Sequence, residues 1–232
     1  MKYYPINLNI TNKHVLVVGG GPVGVRKAQT LLDCGAQVTL VSPDVAKEAD
    51  LLTPAERVTI KRRAFKEEDL TGMFLVIGAT DDMPLNRQIS RLAHEKNMLC
   101  NIADVPDACN FILPSILRQG DFTVAISTGG KSPAFSKAMR KKLSAQFGPE
   151  YGCFLTLMGA VRQKLLAEKH SPEEHKPLFN RLIDEGLVEK IASADMGEID
   201  RVLAFVLGEE YTLMALCPDL CVHLSERKKE TE

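Results

Sequence analysis

The sequence lacks an excess of charge of either sign, since 29 basic and 30 acidic residues leave a formal net charge of −1. That balance gives no support to binding of nucleic acid or of an anionic membrane surface. No apolar run approaches the roughly 20 residues that are needed to span a bilayer. The N-terminus MKYYPINLNI also lacks the basic-then-apolar pattern of a signal peptide. We therefore expect a cytoplasmic protein.

The patterns that hold disulfides or metals are also missing. Six cysteines in 232 residues, with no signal peptide, do not form a disulfide framework, so we expect most of them to be small buried apolar residues. Cys217 and Cys221, followed by His223, have a loose spacing for zinc and no second Cys/His pair. We predict no metal site from the sequence.

The strongest positive pattern is the run HVLVVGGGPVG at 14–24. A β-branched apolar run leads directly into Gly19-x-Gly21-x-x-Gly24, and an amphipathic run that ends at Gly35 follows. This is the spacing of a dinucleotide fingerprint, in which glycines allow a tight turn, a close approach of pyrophosphate and close packing of helix on strand. We expect NAD to bind at Gly19, Gly21 and Gly24; the alternative is a glycine turn that serves packing only.

Strand and helix patterns alternate through the first hundred residues. Strands are predicted at 37–42, 58–61, 75–78 and 98–102, and a helix capped by Asp82 precedes the last of them. This alternation predicts an α/β fold, a Rossmann-type doubly wound parallel sheet, over residues 1–112.

The pattern changes after residue 112. Two extended segments joined at Gln119–Asp121, followed by a helix capped by Ser132, form a small α+β element at 113–150. This element has too little core to stand alone, and we expect it to mediate dimerisation. Apolar residues at helical spacing then predict an all-α domain at 151–224, and the charged tail at 225–232 is predicted to be disordered.

Carboxylates near the ends of the predicted strands are the candidates for cofactor contact and catalysis. Asp44 follows the second strand a little late for the usual ribose contact, and it is equally well explained as a solvated loop acid. Arg26 and Lys27 are cations that a 2′-phosphate would suit, but we favour an exposed helix face for them and NAD over NADP. Asp104 follows the fifth strand, where an acid facing an apolar crevice can serve as a base.

Several blocks of residues, in order, resemble one known family. They are Gly19-Gly20-Gly21-x-Val23-x-x-Arg26-Lys27, Ala79-Thr80-Asp81-Asp82, Asn86, Cys100-Asn101 with Asp104, Phe111-Ile112-x-Pro114-Ser115 and Ser127-x-Gly129-Gly130-x-Ser132-Pro133. The pattern resembles the precorrin-2 dehydrogenase/sirohydrochlorin ferrochelatase family, the N-terminal module of siroheme synthase. With no methyltransferase segment following it, the chain resembles the stand-alone form.

The resemblance implies NAD-dependent oxidation of precorrin-2 to sirohydrochlorin and, in some members, insertion of Fe²⁺ or Co²⁺. It implies Asp104 as the catalytic residue. It also implies cofactor contacts beyond the three glycines, at Pro22, Val23, Pro43, Asp44, Thr80 and Asn101. A different class of protein, a non-catalytic NAD-sensing regulatory dimer, shares the glycine turn but offers no reason for the block at 127–133.

The implied substrate is a tetrapyrrole with many carboxylates, so positive or amide-rich surface should face it. The candidates for substrate binding are Ser127, Thr128, Gly129, Gly130 and Lys131. Ser127 matches the family's first residue before the Gly-Gly pair, and Thr128 replaces a serine that some members phosphorylate. Basic residues beyond this segment, for which a solvated surface is the alternative, are Arg118, Lys137, Arg140, Lys141 and Lys142.

Overall fold

The computed structural model describes residues 2–231, without the side chains of residue 172 and of residues 228–231. The chain divides into two compact units. The first contains the residues up to Leu113 together with Gly129–Lys131, and the second contains Pro114–Thr128 together with the residues from Ser132 onwards. The domain boundaries expected at 112/113 and 150/151 stay predictions.

The first unit is built on a parallel sheet of five strands in the order β3-β2-β1-β4-β5. Its elements are β1 (His14–Gly20), α1 (Pro22–Asp33), β2 (Gln37–Val45), β3 (Val58–Lys61), β4 (Leu75–Gly78), α2 (Met83–Glu95) and β5 (Leu99–Ile102). The strand order reverses between β1 and β4, which is the switch point where such sheets bind ligands at the carboxyl ends of their strands. The predicted Rossmann-type doubly wound sheet is confirmed.

Both faces of this sheet are covered, which explains why its strands are apolar throughout. Val15 and Val17 pack into one core with α1, whereas Leu16 and Val18 pack into a second core with α2. Successive side chains of a strand point to opposite faces, so a central strand covered on both sides needs an uninterrupted apolar run.

The second unit consists of an antiparallel hairpin and seven helices within the part of the chain described here. Its elements are β6 (Ser115–Gln119), β7 (Phe122–Ile126), α3 (Pro133–Ser144), α4 (Glu150–Ala167), α5 (Pro172–Asp184), α6 (Leu187–Ala192), α7 (Met196–Leu207), α8 (Leu213–Leu216) and α9 (Pro218–Thr231). The hairpin turns at Gly120 and Asp121, with Gln119 paired to Phe122, as the sequence predicts. The helices surround a core that includes Leu157, Leu182 and Leu203.

Several local expectations differ from the structure. β2 extends through Pro43 to Val45 rather than ending at Ser42, because its last residues pair with the glycine turn of β1. The amphipathic run of the sequence suggests that Val23 lies on the buried face of α1, but it is 40% exposed, since Gly24 and Val25 face the sheet instead. Helix α9 continues to Thr231, so the segment expected to be a disordered tail from residue 225 is helical up to that residue. Glu, Lys and Arg in this segment are good helix formers.

The cysteines are all free thiols, and of the six only Cys100 is fully buried. Burial raises the pKa of the Cys100 thiol to about 12, so it stays neutral at physiological pH. The expectation that most cysteines are buried is therefore wrong, since four are half-buried and Cys34 is exposed. Between residues 2 and 231 there is no helix whose length and apolarity would let it cross a membrane.

Candidate functional site

The fingerprint glycines bring three segments of the first unit into very close approach. A Cβ atom at Gly24 would lie 1.9 Å from the carbonyl oxygen of Gly19, so only glycine lets α1 pack this closely on β1. Gly19 has φ +114°, and a Cβ there would lie 2.3 Å from the carbonyl oxygen of Ala79, in the loop after β4. The carboxyl ends of β1 and β4 and the start of α1 are therefore packed backbone to backbone.

Gly21 differs from its neighbours because its side-chain position faces open space. It is the N-cap of α1, and no heavy atom of the described chain lies within 4 Å of a Cβ built there. The first backbone N–H groups of a helix have no intrahelical acceptor and carry partial positive charge. An open space directly before such a helix end fits the pyrophosphate of a dinucleotide.

The end of β2 is tied to the same turn. The N–H of Ala46 donates to the carbonyl oxygen of Gly20 at 2.8 Å, and a Cβ at Gly20 would lie 2.5 Å from the carbonyl oxygen of Asp44. Pro43 and Asp44 are thus exposed residues of a strand end beside the fingerprint, rather than part of a separate loop. This is where the adenosine ribose lies in such folds.

The loop after β4 is held in place by a buried amide. The Thr80 hydroxyl donates to Asn86 Oδ1 at 2.9 Å, and Asn86 Nδ2 donates to the carbonyl oxygen of Thr80 at the same distance. Asn86 lies on α2 and is buried. In the sequence Asn86 is only one residue of the family pattern. Its hydrogen bonds to Thr80, which hold the loop after β4, are visible only in the structure.

The turn after β5 presents Asp104 and is anchored by Cys109. Asp104 is exposed and has φ +61°, a left-handed conformation that Asn and Asp adopt more readily than most residues. The Cys109 sulfur accepts from the N–H of Ile102 at 3.1 Å, and its thiol lies 3.2 Å from the carbonyl oxygen of Val105. Cys109 therefore contacts the backbone on both sides of Asp104, at Ile102 and at Val105.

Asn101, at the end of β5, is buried and its amide is oriented by its neighbours. Asn101 Nδ2 donates to the carbonyl oxygen of Phe111 at 3.1 Å, and Lys27 Nζ lies 3.5 Å from Asn101 Oδ1. Lys27 was expected on an exposed helix face, and this is wrong: the side chain is half-buried and directed toward β5. Burial, and then Arg26, lower the pKa of the Lys27 ammonium, whereas Cys109 and Asp104 raise it.

The predicted substrate-binding segment, 127–131, comes directly before the N-cap of α3 in the chain. The Thr128 hydroxyl accepts a hydrogen bond from the N–H of Ser132 at 3.1 Å, and the Ser132 hydroxyl caps the helix by accepting from the N–H of Phe135 at 3.2 Å. Gly129 and Gly130 both have positive φ and nothing within 4 Å of a built Cβ. Ser127, Gly129, Gly130 and Lys131 are exposed. Their binding of substrate, like the roles of the cofactor and catalytic residues, stays a prediction.

In the part of the chain that the structure describes, no group of three or more His, Cys, Asp and Glu side chains is arranged to hold a metal ion.

Two family models match the chain. One, described as putative NAD(P)-binding, matches residues 6–115, and the other, described as sirohaem biosynthesis protein central, matches residues 119–146. The first coincides with the parallel sheet and its glycine turn, and the second with the hairpin turn, β7 and α3.

Curated relatives and a solved structure point in the same direction. A siroheme synthase of Pseudoalteromonas translucida is 34% identical over 208 residues, covering 90% of this chain and 44% of that protein. Siroheme synthase 1 of Aeromonas salmonicida is 34% identical over 211 residues, covering 90% and 45%. The chain thus spans less than half the length of these relatives. A structure described as SirC, precorrin-2 dehydrogenase, matches 90% of this chain and 100% of its own with a TM-score of 0.74 and 26% identity.

Proposed function

Because the chain belongs to the precorrin-2 dehydrogenase/sirohydrochlorin ferrochelatase family, the family of the siroheme synthase N-terminal module, we propose that it oxidises precorrin-2 to sirohydrochlorin with NAD⁺. The observation that carries this proposal is the position of Asp104, an exposed carboxylate on an anchored turn at the same edge of the sheet as the open glycine turn. The solved structure described as a precorrin-2 dehydrogenase, which matches 90% of this chain, supports the choice of reaction.

The residues of the first unit divide the work between binding and proton transfer. Gly21 and the start of α1 bind the pyrophosphate, and Pro43 and Asp44 at the end of β2 contact the adenosine ribose. Thr80 and Asn101 line the crevice at the ends of β4 and β5. Bound NAD⁺ would supply the hydride acceptor for a ring carbon of the tetrapyrrole, and the carboxylate of Asp104 accepts the proton released in the same oxidation.

The choice of NAD rather than NADP follows from where the charges lie. The acid at the end of β2 suits a free ribose 2′-hydroxyl. Of the two cations that would suit a 2′-phosphate, Lys27 is directed toward Asn101 on β5, which β1 and β4 separate from β2 in the sheet, and Arg26 lies on the exposed face of α1. The cytoplasm stays the predicted location.

We also propose that the protein is a homodimer. Helix α3 has a single buried residue, Ser136, in the described chain, and Phe135, on the same apolar face as Ala138 and Met139, is 59% exposed. An apolar helix face of this kind normally packs against a partner. A second copy of the chain would bury it.

The first test is an anaerobic absorbance assay with precorrin-2 and NAD⁺, using wild type and Asp104→Asn. We expect NADH and the sirohydrochlorin spectrum from wild type, and at least about a hundredfold slower turnover from Asp104→Asn, because a general base typically contributes 10²–10⁴-fold. Asparagine tolerates the positive φ at this position, so the fold and the affinity for NAD should be unchanged.

Asp107→Asn, which removes an exposed carboxylate from the same turn region, is the matched control and should keep normal turnover. Near-normal turnover of Asp104→Asn would remove Asp104 from the mechanism. Wild type that binds NAD but yields no NADH would favour the NAD-sensing regulatory dimer. Adding Fe²⁺ or Co²⁺ to the product in the same cuvette measures metal insertion against a control without enzyme.

A further inference from the structure

Lys27 carries a positive charge that lacks a negative partner at contact distance. Among the side chains that the structure describes, no carboxylate lies within 4 Å of its ammonium, and the contact recorded for it is the neutral Asn101 amide at 3.5 Å. A lysine ammonium has three N–H donors, so the Asn101 contact leaves two of them for another acceptor. Because the side chain is half-buried, water satisfies this charge less well than it would on an open surface.

The groups around Lys27 favour the approach of an anion. Arg26, the next residue on α1, adds a second positive charge, and burial disfavours the ammonium further. Two groups on the turn after β5, the Cys109 thiol and the Asp104 carboxylate, instead raise the pKa of the Lys27 ammonium. A negative group bound beside Asn101 would offset the burial of the ammonium and the repulsion from Arg26.

The ammonium of Lys27, a residue of α1, lies away from the places where the phosphates and the adenosine ribose of the cofactor are expected. Lys27 is the sixth residue of α1, so its Cα lies about 8 Å along the helix axis from the N-terminus where a pyrophosphate is expected. Its ammonium lies at Asn101 on β5, whereas the adenosine ribose is expected at the end of β2, on the other side of β1. The anion that reaches Lys27 must therefore come from the molecule that reacts near Asp104.

We infer that Lys27 binds one acetate or propionate carboxylate of the tetrapyrrole and so fixes the ring system beside Asp104. This inference rests on the proposed function, which supplies a substrate with such side chains. The ammonium donates to the carboxylate, and the Asn101 amide, held by Phe111, keeps the lysine side chain directed at that place. Lys27 is thus a specificity-determining residue that contacts substrate remote from the reacting carbon.

The test is a comparison of Lys27→Met, Lys27→Arg and Arg26→Met in two binding measurements on the full chain. Uroporphyrin, a stable tetrapyrrole with acetate and propionate side chains, is titrated by fluorescence, and NAD⁺ is titrated separately by calorimetry. We expect Lys27→Met to weaken uroporphyrin binding about tenfold or more, as loss of a hydrogen bond to a charged group predicts, with NAD⁺ affinity unchanged. Lys27→Arg should retain most of the affinity. Arg26→Met, which removes the exposed neighbouring cation, should weaken uroporphyrin binding much less than Lys27→Met does.

Each other outcome is decisive. Weaker NAD⁺ binding with unchanged uroporphyrin binding would assign Lys27 to the cofactor, and no change in either would leave it a packing residue; both overturn the inference. Wild type that does not bind uroporphyrin would overturn the inference and the proposed substrate together. Lys27-dependent uroporphyrin binding without formation of NADH from precorrin-2 would keep the carboxylate contact and overturn only the proposed oxidation.

Discussion

Gly21 and Gly24 belong to the same fingerprint, but their side-chain positions have different surroundings. Gly21 has an extended backbone conformation and open space at its side-chain position, so the described chain does not require glycine there. Gly24 has the carbonyl oxygen of Gly19 at 1.9 Å from a built Cβ, so the fold itself requires glycine. The proposed binding of pyrophosphate would supply a reason for glycine at Gly21, because the ligand would approach the backbone there.

This difference predicts opposite effects of two substitutions. Gly21→Asp should keep the melting temperature, since Asp is a favourable N-cap, and should abolish NAD⁺ binding through steric overlap and charge at the pyrophosphate. Gly24→Ala should lower the free energy of unfolding by about 2 kcal/mol or more, because α1 must move away from β1. Calorimetric titration and thermal unfolding of both variants check this. Unchanged NAD⁺ affinity in folded Gly21→Asp would contradict the fingerprint assignment.

Short-range chemistry explains which residues could be placed from the sequence. Asp82 and Ser132 are N-caps as predicted, each accepting from the backbone N–H three residues later, because a cap depends only on its own turn of helix. The direction of Lys27 could not be predicted in this way. Which side of α1 reaches toward β5 depends on how the helix crosses the sheet, and a single lysine within an amphipathic helix carries no signal of that.

At the scale of elements, the hairpin of β6 and β7 contacts α4 at a point where both backbones are glycine. The Cα of Gly152 lies 3.3 Å from a Cβ built at Gly120, and a Cβ at Gly152 would lie 2.7 Å from the carbonyl oxygen of Gln119. Phe122, Phe147 and Tyr151 pack beside this contact with ring centroids 5.0–5.4 Å apart. The close approach lets Phe122 of this small two-stranded sheet pack against Tyr151 of α4.

Gly152→Ala should therefore destabilise the protein by about 1–3 kcal/mol, because the added methyl group meets backbone that cannot rotate away. Gly159→Ala is the matched control on the same helix. Nothing lies within 4 Å of its built Cβ, so the greater helix propensity of alanine should stabilise the protein by about 0.5–1 kcal/mol. Urea unfolding measures both. Equal effects of the two variants would contradict a special contact between the hairpin and α4.

The elements that the sequence predicted well are those with a complete local signal. β3 and β4 have the predicted bounds, because β3 alternates Val58 and Ile60 with polar residues and β4 is a short apolar run between polar segments. The extension of β2 to Val45 was missed because Pro43 suggests a strand end, whereas here the last part of the strand is held by pairing with Gly20, far away in sequence. Contacts of that kind do not appear in a local pattern.

At the scale of the whole molecule, the sequence carries more specific signals for chemistry in the first unit than in the second. The glycine turn and the carboxylate after β5 belong to one sheet edge, where parallel topology brings strand ends together whatever the loops do. The hairpin, α3 and the helices from α4 onwards carry patterns for burial, which specify an apolar core without naming a ligand. The exposed part of the α3 face is the feature of this unit from which we infer a partner.

That exposed face leads to the prediction for assembly. Wild type should elute as a dimer in size-exclusion chromatography with light scattering, at twice the 25.6 kDa of one chain. Phe135→Glu places a charge on the exposed apolar face and should shift the protein toward the monomer by at least about tenfold in dissociation constant, since burying an unpaired charge is strongly unfavourable. Lys137→Glu, a larger change of charge on the opposite side of α3, should leave the dimer intact. A monomeric wild type, or a Phe135→Glu dimer as tight as wild type, would show that α3 is not the interface.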